Sequence, residues 1–171
     1  MHNLFLFILL FLFYSCGSEN KNNVIKPIND EIVKERMVNV NKHLSRNEND
    51  EINAYIERRK WNVKNTNSGV RFWIYKEGNG ASIKNNDRLK LKYKLSLING
   101  ENCYDSSNDG LLNLEIGKYE VSGLNEALQL MRKGDQAIVI VPSHLAYGLL
   151  GDQNRIPSKA TLIYDLEILN Q

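Results

Sequence analysis

The chain has 171 residues, 42% hydrophobic and 25% charged, which fits one domain with a small appendage and leaves no room for a second full domain. Its formal charge of +2 comes from Lys and Arg interspersed with Asp and Glu, so no basic stripe forms and nucleic acid is not an expected partner. His2, His43 and His144 lie far apart without paired ligands, and Gly78-Asn79-Gly80 lacks the helix that a dinucleotide site needs, so neither a metal nor a cofactor is expected.

The apolar run Leu4 to Tyr14, LFLFILLFLFY, is much shorter than the roughly 20 residues of a spanning helix and stops at SCGS, which reads as the core of an export signal. Cys16, between Ser15 and Gly17, resembles a bacterial lipoprotein processing site, where the thiol is diacylated before cleavage. This predicts a signal peptide over 1–15, lipidation at Cys16 and a place in the bacterial cell envelope, anchored to a membrane on the periplasmic side or at the outer membrane. An ordinary cleaved signal or a short buried strand is the plainer alternative. Cys103 is the other cysteine, so with Cys16 acylated no intrachain disulfide can form. Residues 16–30, rich in Asn, Ser and Lys, read as a tether.

A helical lead-in is expected over 31–67. Asp30 can cap a helix from Glu31, in which Val33, Met37, Val40 and Leu44 share one face. The polar SRNEND then interrupts the stripe, and a second helix from about Asn49 carries Ile52, Tyr55 and Ile56 on one side. A stripe this short favours a spacer packed on the domain, with a homodimer arm as the alternative.

After NTNSG the period changes from helical to strand-like, which puts the start of the main domain, 68–171, near Ser68. Val70, Phe72 and Ile74 alternate with polar and aromatic neighbours. DRLKLKYKLSLING places Leu89, Leu91, Tyr93, Leu95 and Leu97 on one face and Lys residues on the other, and ends at Asn-Gly. GLLNLEIG is a short strand, QAIVIVP a central one, and ATLIYDLEIL alternates again through Leu162, Tyr164, Leu166 and Ile168. One helix is predicted among them, from Ser122 as cap to Gly134 as left-handed stop, with Leu124, Ala127, Leu128 and Met131 inward. The expected class is α+β: an antiparallel twisted β-sheet wrapped on one short α-helix, preceded by a helical segment.

Ser-His-Asp sets, Cys-His pairs and phosphate loops are missing, so any chemistry is noncovalent. The domain offers aromatic and aliphatic side chains near loop ends instead. Here NCYDSS, LEIG, SGLNEALQLMRKGDQAIVIVP, LAYG and IPSKATLIYDLEIL fall in the order and nearly at the spacing of the FK506-binding (FKBP) peptidyl-prolyl cis-trans isomerases, which the chain resembles from Gly69 to its end. The whole layout, with its cysteine and helical lead-in, is similar to the gliding-motility-associated isomerase lipoproteins of Bacteroidetes.

The resemblance implies an isomerase that assists folding of exported proteins and acts on proline-containing polypeptides without a cofactor. It implies Tyr147, Asp105 and Tyr93 at the reaction centre, Tyr147 as hydroxyl donor to a substrate carbonyl. It implies a substrate pocket of Tyr104, Leu112, Leu114, Val121, Leu124, Ile156 and Tyr164, in which Leu124 replaces the usual floor Trp and Tyr104 and Tyr164 replace Phe. The turn YEVSGL is one residue shorter than the family's form. Rotation about an X-Pro bond faces a barrier of about 18–20 kcal/mol, because the planar amide is stabilised by charge-separating resonance. A dry apolar cup penalises that form and so favours the twisted one, and binding realised in the twisted state accelerates rotation.

Plainer readings stand beside these. Tyr93 and Tyr164 can be core aromatics, Asp105 can cap the DSSN turn, and Ile156-Pro157 can be an ordinary turn. The rival for the whole protein is a binding module or structural lipoprotein with little catalysis.

Overall fold

The computed structural model describes residues 30–170. The expected export signal, the expected lipidation site Cys16 and the expected tether up to residue 29 lie outside the described residues. The chain divides into two compact units, Met1–Asn39 and Val40–Gln171. Of the first, the described part is the opening of helix α1, where Ile32, Met37 and Val38 are exposed.

Helix α1 spans Asp30–Arg59, with Asp30 and Glu31 in its first turn and Arg58 and Arg59 in its last, both favourable to the helix dipole. The break predicted at SRNEND does not occur. Nothing in that stretch is Gly or Pro, and its polar side chains have work in the tertiary structure. Glu48 accepts from Ser143 N (2.6 Å), Ser143 Oγ (3.1 Å) and Thr161 Oγ1 (2.7 Å), and Arg71 Nη2 donates to Asn49 (3.0 Å) and Asn53 (3.4 Å). A sequence pattern that looks like an interruption is thus a polar seam between the helix and the sheet.

The sheet has seven antiparallel strands: β1 (Lys64–Asn65), β2 (Arg71–Lys76), β3 (Arg88–Leu97), β4 (Asn102–Asp105), β5 (Leu112–Glu115), β6 (Gln136–Val141) and β7 (Leu162–Ile168), in the order β1-β2-β6-β7-β3-β4 with β5 also on β3. The alternation in β3 is realised as read: Leu89, Leu91, Leu95 and Leu97 are buried, while Lys90, Lys92 and Lys94 are exposed. At its end Gly100 takes a φ of +92° that a side chain would strain, and Gly100 N bonds Leu97 O to close the turn into β4.

Both faces of the central strands are covered. Val139, Tyr164, Leu166 and Leu95 face one core together with Leu124, Ala127 and Leu128. Ile138, Ile140 and Ile163 face a second, smaller one with Ile52 and Tyr55 of α1. Trp61 meets Tyr55 edge-on at 5.7 Å, and the Arg59 guanidinium lies 3.5 Å from the Tyr55 ring centre, so the helix end is fastened by aromatic as well as aliphatic contact.

The remaining helices are short. Helix α2 covers Ser106–Asp109 and helix α3 Ser122–Leu128. Two expectations for α3 are corrected. Its N-cap is Val121, without a side-chain cap, and Ser122 Oγ instead donates to Leu145 O at 3.3 Å. The helix also ends at Leu128 rather than near Gly134: the chain tightens into turns, Leu130 N to Ala127 O and Met131 N to Leu128 O, that still bury Met131. Gly123 lets α3 lie close on β6, since a Cβ there would sit 2.5 Å from Val141 Cγ1.

Candidate active site

The concave face of the sheet carries two neighbouring rows of side chains. Register pairs Phe72 with Val139, Val139 with Tyr164, Tyr164 with Leu95, and Leu95 with Tyr104, so these project from one face in one row. The next row is Ile74, Ala137, Leu166 and Tyr93. Tyr93 and Tyr164 are therefore diagonal neighbours on adjacent strands. Tyr164 is fully buried, whereas Tyr93 and Tyr104 are half-buried.

Apolar walls surround them. Leu124 and Val121 are fully buried, Val121 in extended conformation at the entrance to α3. Leu112 and Leu114 pair with Leu91 and Leu89, Leu114 being buried and Leu112 half-buried. Ile156, at the end of the loop after Tyr147, is buried in the same core. The structure thus draws Tyr93, Tyr104, Leu112, Leu114, Val121, Leu124, Tyr147, Ile156 and Tyr164 into or against a single core, although they come from six separate segments.

The loop over this face is tied rather than loose. Gly148 N bonds Ser143 O (2.9 Å) and Lys159 N bonds Gly148 O (2.7 Å). Asp152 accepts from Ile156 N (2.7 Å), Asn154 N (2.9 Å) and the Tyr104 hydroxyl. Gly151 has a φ of +67°, and a Cβ there would collide with the Ile156 carbonyl oxygen. Arg155 completes the attachment, donating to Cys103 O (3.0 Å) and Asp109 (2.9 Å) with its guanidinium 4.7 Å from the Tyr104 ring centre.

Asp105 lies at the start of α2. Its carboxylate accepts from Ser107 N (2.9 Å) and Ser107 Oγ (2.8 Å) as the N-cap of α2, and these bonds hold its carboxyl below its ordinary value. Burial raises the Tyr93 phenol most, and the charges of Asp109 and, more weakly, Asp105 add to it.

Tyr147 donates to Glu120 Oε1 at 2.9 Å. Burial first, then Tyr119 and Glu120, hold its phenol far above the ordinary range; burial likewise leads the rise of Tyr93, Tyr119 and Tyr164. All four are neutral hydroxyl donors at physiological pH. Together with aliphatic walls they form an apolar site lined by hydroxyls, suited to an uncharged cyclic side chain whose flanking peptide carbonyls can accept a hydrogen bond. They offer no general base or nucleophile, and among the described residues no cluster of His, Cys, Asp and Glu could hold a metal.

Sequence reasoning missed four contributors. Tyr119 packs against the same core with its phenol beside those of Tyr147 and Tyr164. Glu120 holds the Tyr147 hydroxyl, Asp152 holds the loop, and Asn125 holds the turn before α3, accepting from Gly117 N (3.0 Å) and donating to Tyr119 O (2.6 Å). An aromatic beside the expected wall residue Val121 was the available signal for Tyr119; none marked the others.

Comparison with known proteins agrees with this geometry. The model of the family described as FKBP-type peptidyl-prolyl cis-trans isomerase matches residues 80–169, more than half of the sequence, and the chain belongs to that family. It is 35% identical over 127 residues to a probable FKBP-type peptidyl-prolyl cis-trans isomerase of Haemophilus influenzae, covering 74% of this chain and 52% of that protein. It is 34% identical over 121 residues to the FKBP-type 22 kDa peptidyl-prolyl cis-trans isomerase of Escherichia coli, covering 67% and 57%. Among solved structures it superposes on FkpA from Escherichia coli with a TM-score of 0.61 at 25% identity, covering 85% of this chain and 73% of that one. The chain spans about half the length of these curated relatives.

Proposed function

We propose that the protein is a peptidyl-prolyl cis-trans isomerase that assists the folding of exported polypeptides. The observation that carries this is the convergence of Tyr93, Tyr147 and Tyr164 on an apolar floor of Val121, Leu124 and Ile156. The floor desolvates a prolyl ring and its amide, and the Tyr147 hydroxyl, once released from Glu120, fixes one carbonyl while the ring turns. Differential binding of the twisted amide supplies the rate: each 1.36 kcal/mol, on the order of one hydrogen bond, is about tenfold. Tyr104, Leu112 and Leu114 shape the rim, and Asp105 acts on Tyr93 through its field alone. The test is refolding of a proline-limited, disulfide-free protein. Catalytic amounts of the chain should accelerate the slow phase, and an unchanged slow phase with retained peptide binding favours the rival, a binding module with little catalysis.

The same proposal places the protein in the bacterial envelope, lipidated at Cys16 and held at a membrane, in the manner of the gliding-motility-associated isomerase lipoproteins that its layout resembles. The run Leu4 to Tyr14 ending at Ser15-Cys16-Gly17 supports this part. Incorporation of labelled fatty acid that survives Cys16→Ala would count against it. Exposed Val40 and Leu44 on α1 support self-association as a homodimer, which a monomeric mass across a wide concentration range would exclude.

A further inference from the structure

Tyr164 is 1% exposed, and its hydroxyl completes no hydrogen bond of good geometry, although the Tyr119 phenol lies beside it. A buried donor without an acceptor weakens the folded state, because the water it gave up is not replaced. A phenylalanine would fill the same volume without that penalty. The hydroxyl is not isolated in hydrocarbon either: the phenols of Tyr93, Tyr119 and Tyr147 lie near enough to act on it.

Tyr119 stands in that cluster. Its phenol lies beside both Tyr147 and Tyr164, without completing a hydrogen bond of good geometry to Tyr164. Asn125 clamps its backbone, so the turn is fixed and the side-chain torsions are what remain free. Its half-buried ring gives it an open side toward solvent.

What could satisfy the orphaned donor follows from its chemistry. It needs an acceptor carried on an uncharged group that an apolar floor tolerates. A peptide segment at proline fits, since the prolyl nitrogen has no N–H and the flanking carbonyls are acceptors without a competing donor at that position. We propose that Tyr119 plugs the prolyl site of the free protein and that Tyr164 is a latent substrate donor: an incoming X-Pro segment displaces the Tyr119 phenol, and one of its carbonyl oxygens accepts from Tyr164 Oη. This rests on the prolyl-isomerase reading of the site and adds two residues whose hydroxyl and ring that reading does not use. Tyr164 is then a specificity residue, and Tyr119 sets how much of the protein is open to substrate.

The experiment compares the full chain with Tyr164→Phe and Tyr119→Ala by thermal unfolding and by titration with the tetrapeptide Ala-Leu-Pro-Phe, with Ala-Leu-Ala-Phe as control. Tyr164→Phe should raise the melting temperature by about 2–6 °C and weaken binding of the proline peptide about five- to tenfold. Tyr119→Ala should tighten that binding several-fold. A structural hydroxyl would give the opposite stability result, a lower melting temperature. Unchanged peptide binding in Tyr164→Phe, or weaker binding in Tyr119→Ala, overturns the proposal while leaving the isomerase reading intact. A wild-type chain that neither binds the proline peptide nor speeds refolding overturns both.

Discussion

The Tyr104 hydroxyl, on β4, donates to the carboxylate of Asp152, forty-eight residues later in the loop that covers the site. Asn154 Nδ2 donates to the same phenol oxygen at 3.2 Å, and Asp152 also organises the loop's own turn through Ile156 N and Asn154 N. A stretch with two glycines and a proline nearby thereby becomes a fixed cover. The tyrosine that stands where the resemblance expects phenylalanine gives the ring to the rim and the hydroxyl to this latch.

Removal of the latch acceptor should therefore loosen the cover before it disturbs the sheet. Asp152→Ala strands two backbone N–H groups and one phenol, and should lower stability by about 1–3 kcal/mol. Hydrogen exchange should rise most at Asn154 and Ile156. Exchange that stays slow at those amides would show that the backbone turn holds without the carboxylate.

The latch should also fail in acid. Burial pushes the Asp152 carboxyl up, but hydrogen bonds from Tyr104, Ile156 and Asn154 outweigh it and the group ends below its ordinary value. The unfolded carboxyl titrates near about 3.9. A depressed folded value stabilises fully above that pH and is lost as the pH falls through the folded value. The stability difference between wild type and Asp152→Asn should thus be constant near neutrality and shrink below about pH 4.

Activity should be insensitive to pH where the phenols act. Tyr93, Tyr147 and Tyr164 are all held above their ordinary value, first by burial, so no donor is lost as the pH rises from about 6 to about 9. Refolding assays across that range should give a flat profile. A step near neutrality would point to a histidine or an acidic group in the rate-limiting event.

Tyr147→Phe should slow isomerisation about tenfold and change stability little, since its hydroxyl bonds an exposed glutamate. Glu120→Ala frees that hydroxyl for substrate and should raise kcat/KM. Equal loss in both variants would mean that the Tyr147–Glu120 bond itself is needed, which the proposed role does not allow.

Leu124 and Ile52 test the two cores separately. Each is fully buried, on opposite faces of the sheet, so Leu124→Ala and Ile52→Ala should each cost about 2–5 kcal/mol. Only Leu124→Ala touches the site floor. At a temperature where both variants remain folded, it alone should reduce activity; a matching loss in Ile52→Ala would show that α1 controls the site through the strands.

The periodicities were enough to find the five strands β2, β3, β5, β6 and β7, their inward faces and the presence of α3, because alternation and helical spacing are local and burial follows them directly; β1 and β4, of two and four residues, are too short to show a period. Periodicity put Tyr93 and Leu124 on inward faces, whereas Tyr147, Val121 and Ile156 were singled out only by the family resemblance, and all five now lie in or against one core. Polar pairing was not legible. SRNEND reads as a break until Ser143, Thr161 and Arg71 arrive to meet Glu48, Asn49 and Asn53. Asp105 reads equally as a cap or a site residue, and its bonds to Ser107, which make it a cap, appear only in the folded chain. The tethered loop, the Tyr147–Glu120 bond and the unpaired Tyr164 hydroxyl join residues brought together by strand order alone. Hydrogen bonds depend on angstrom-scale geometry between distant segments, whereas apolar burial needs only the correct face, and that difference divides what the sequence determined from what the tertiary structure decided.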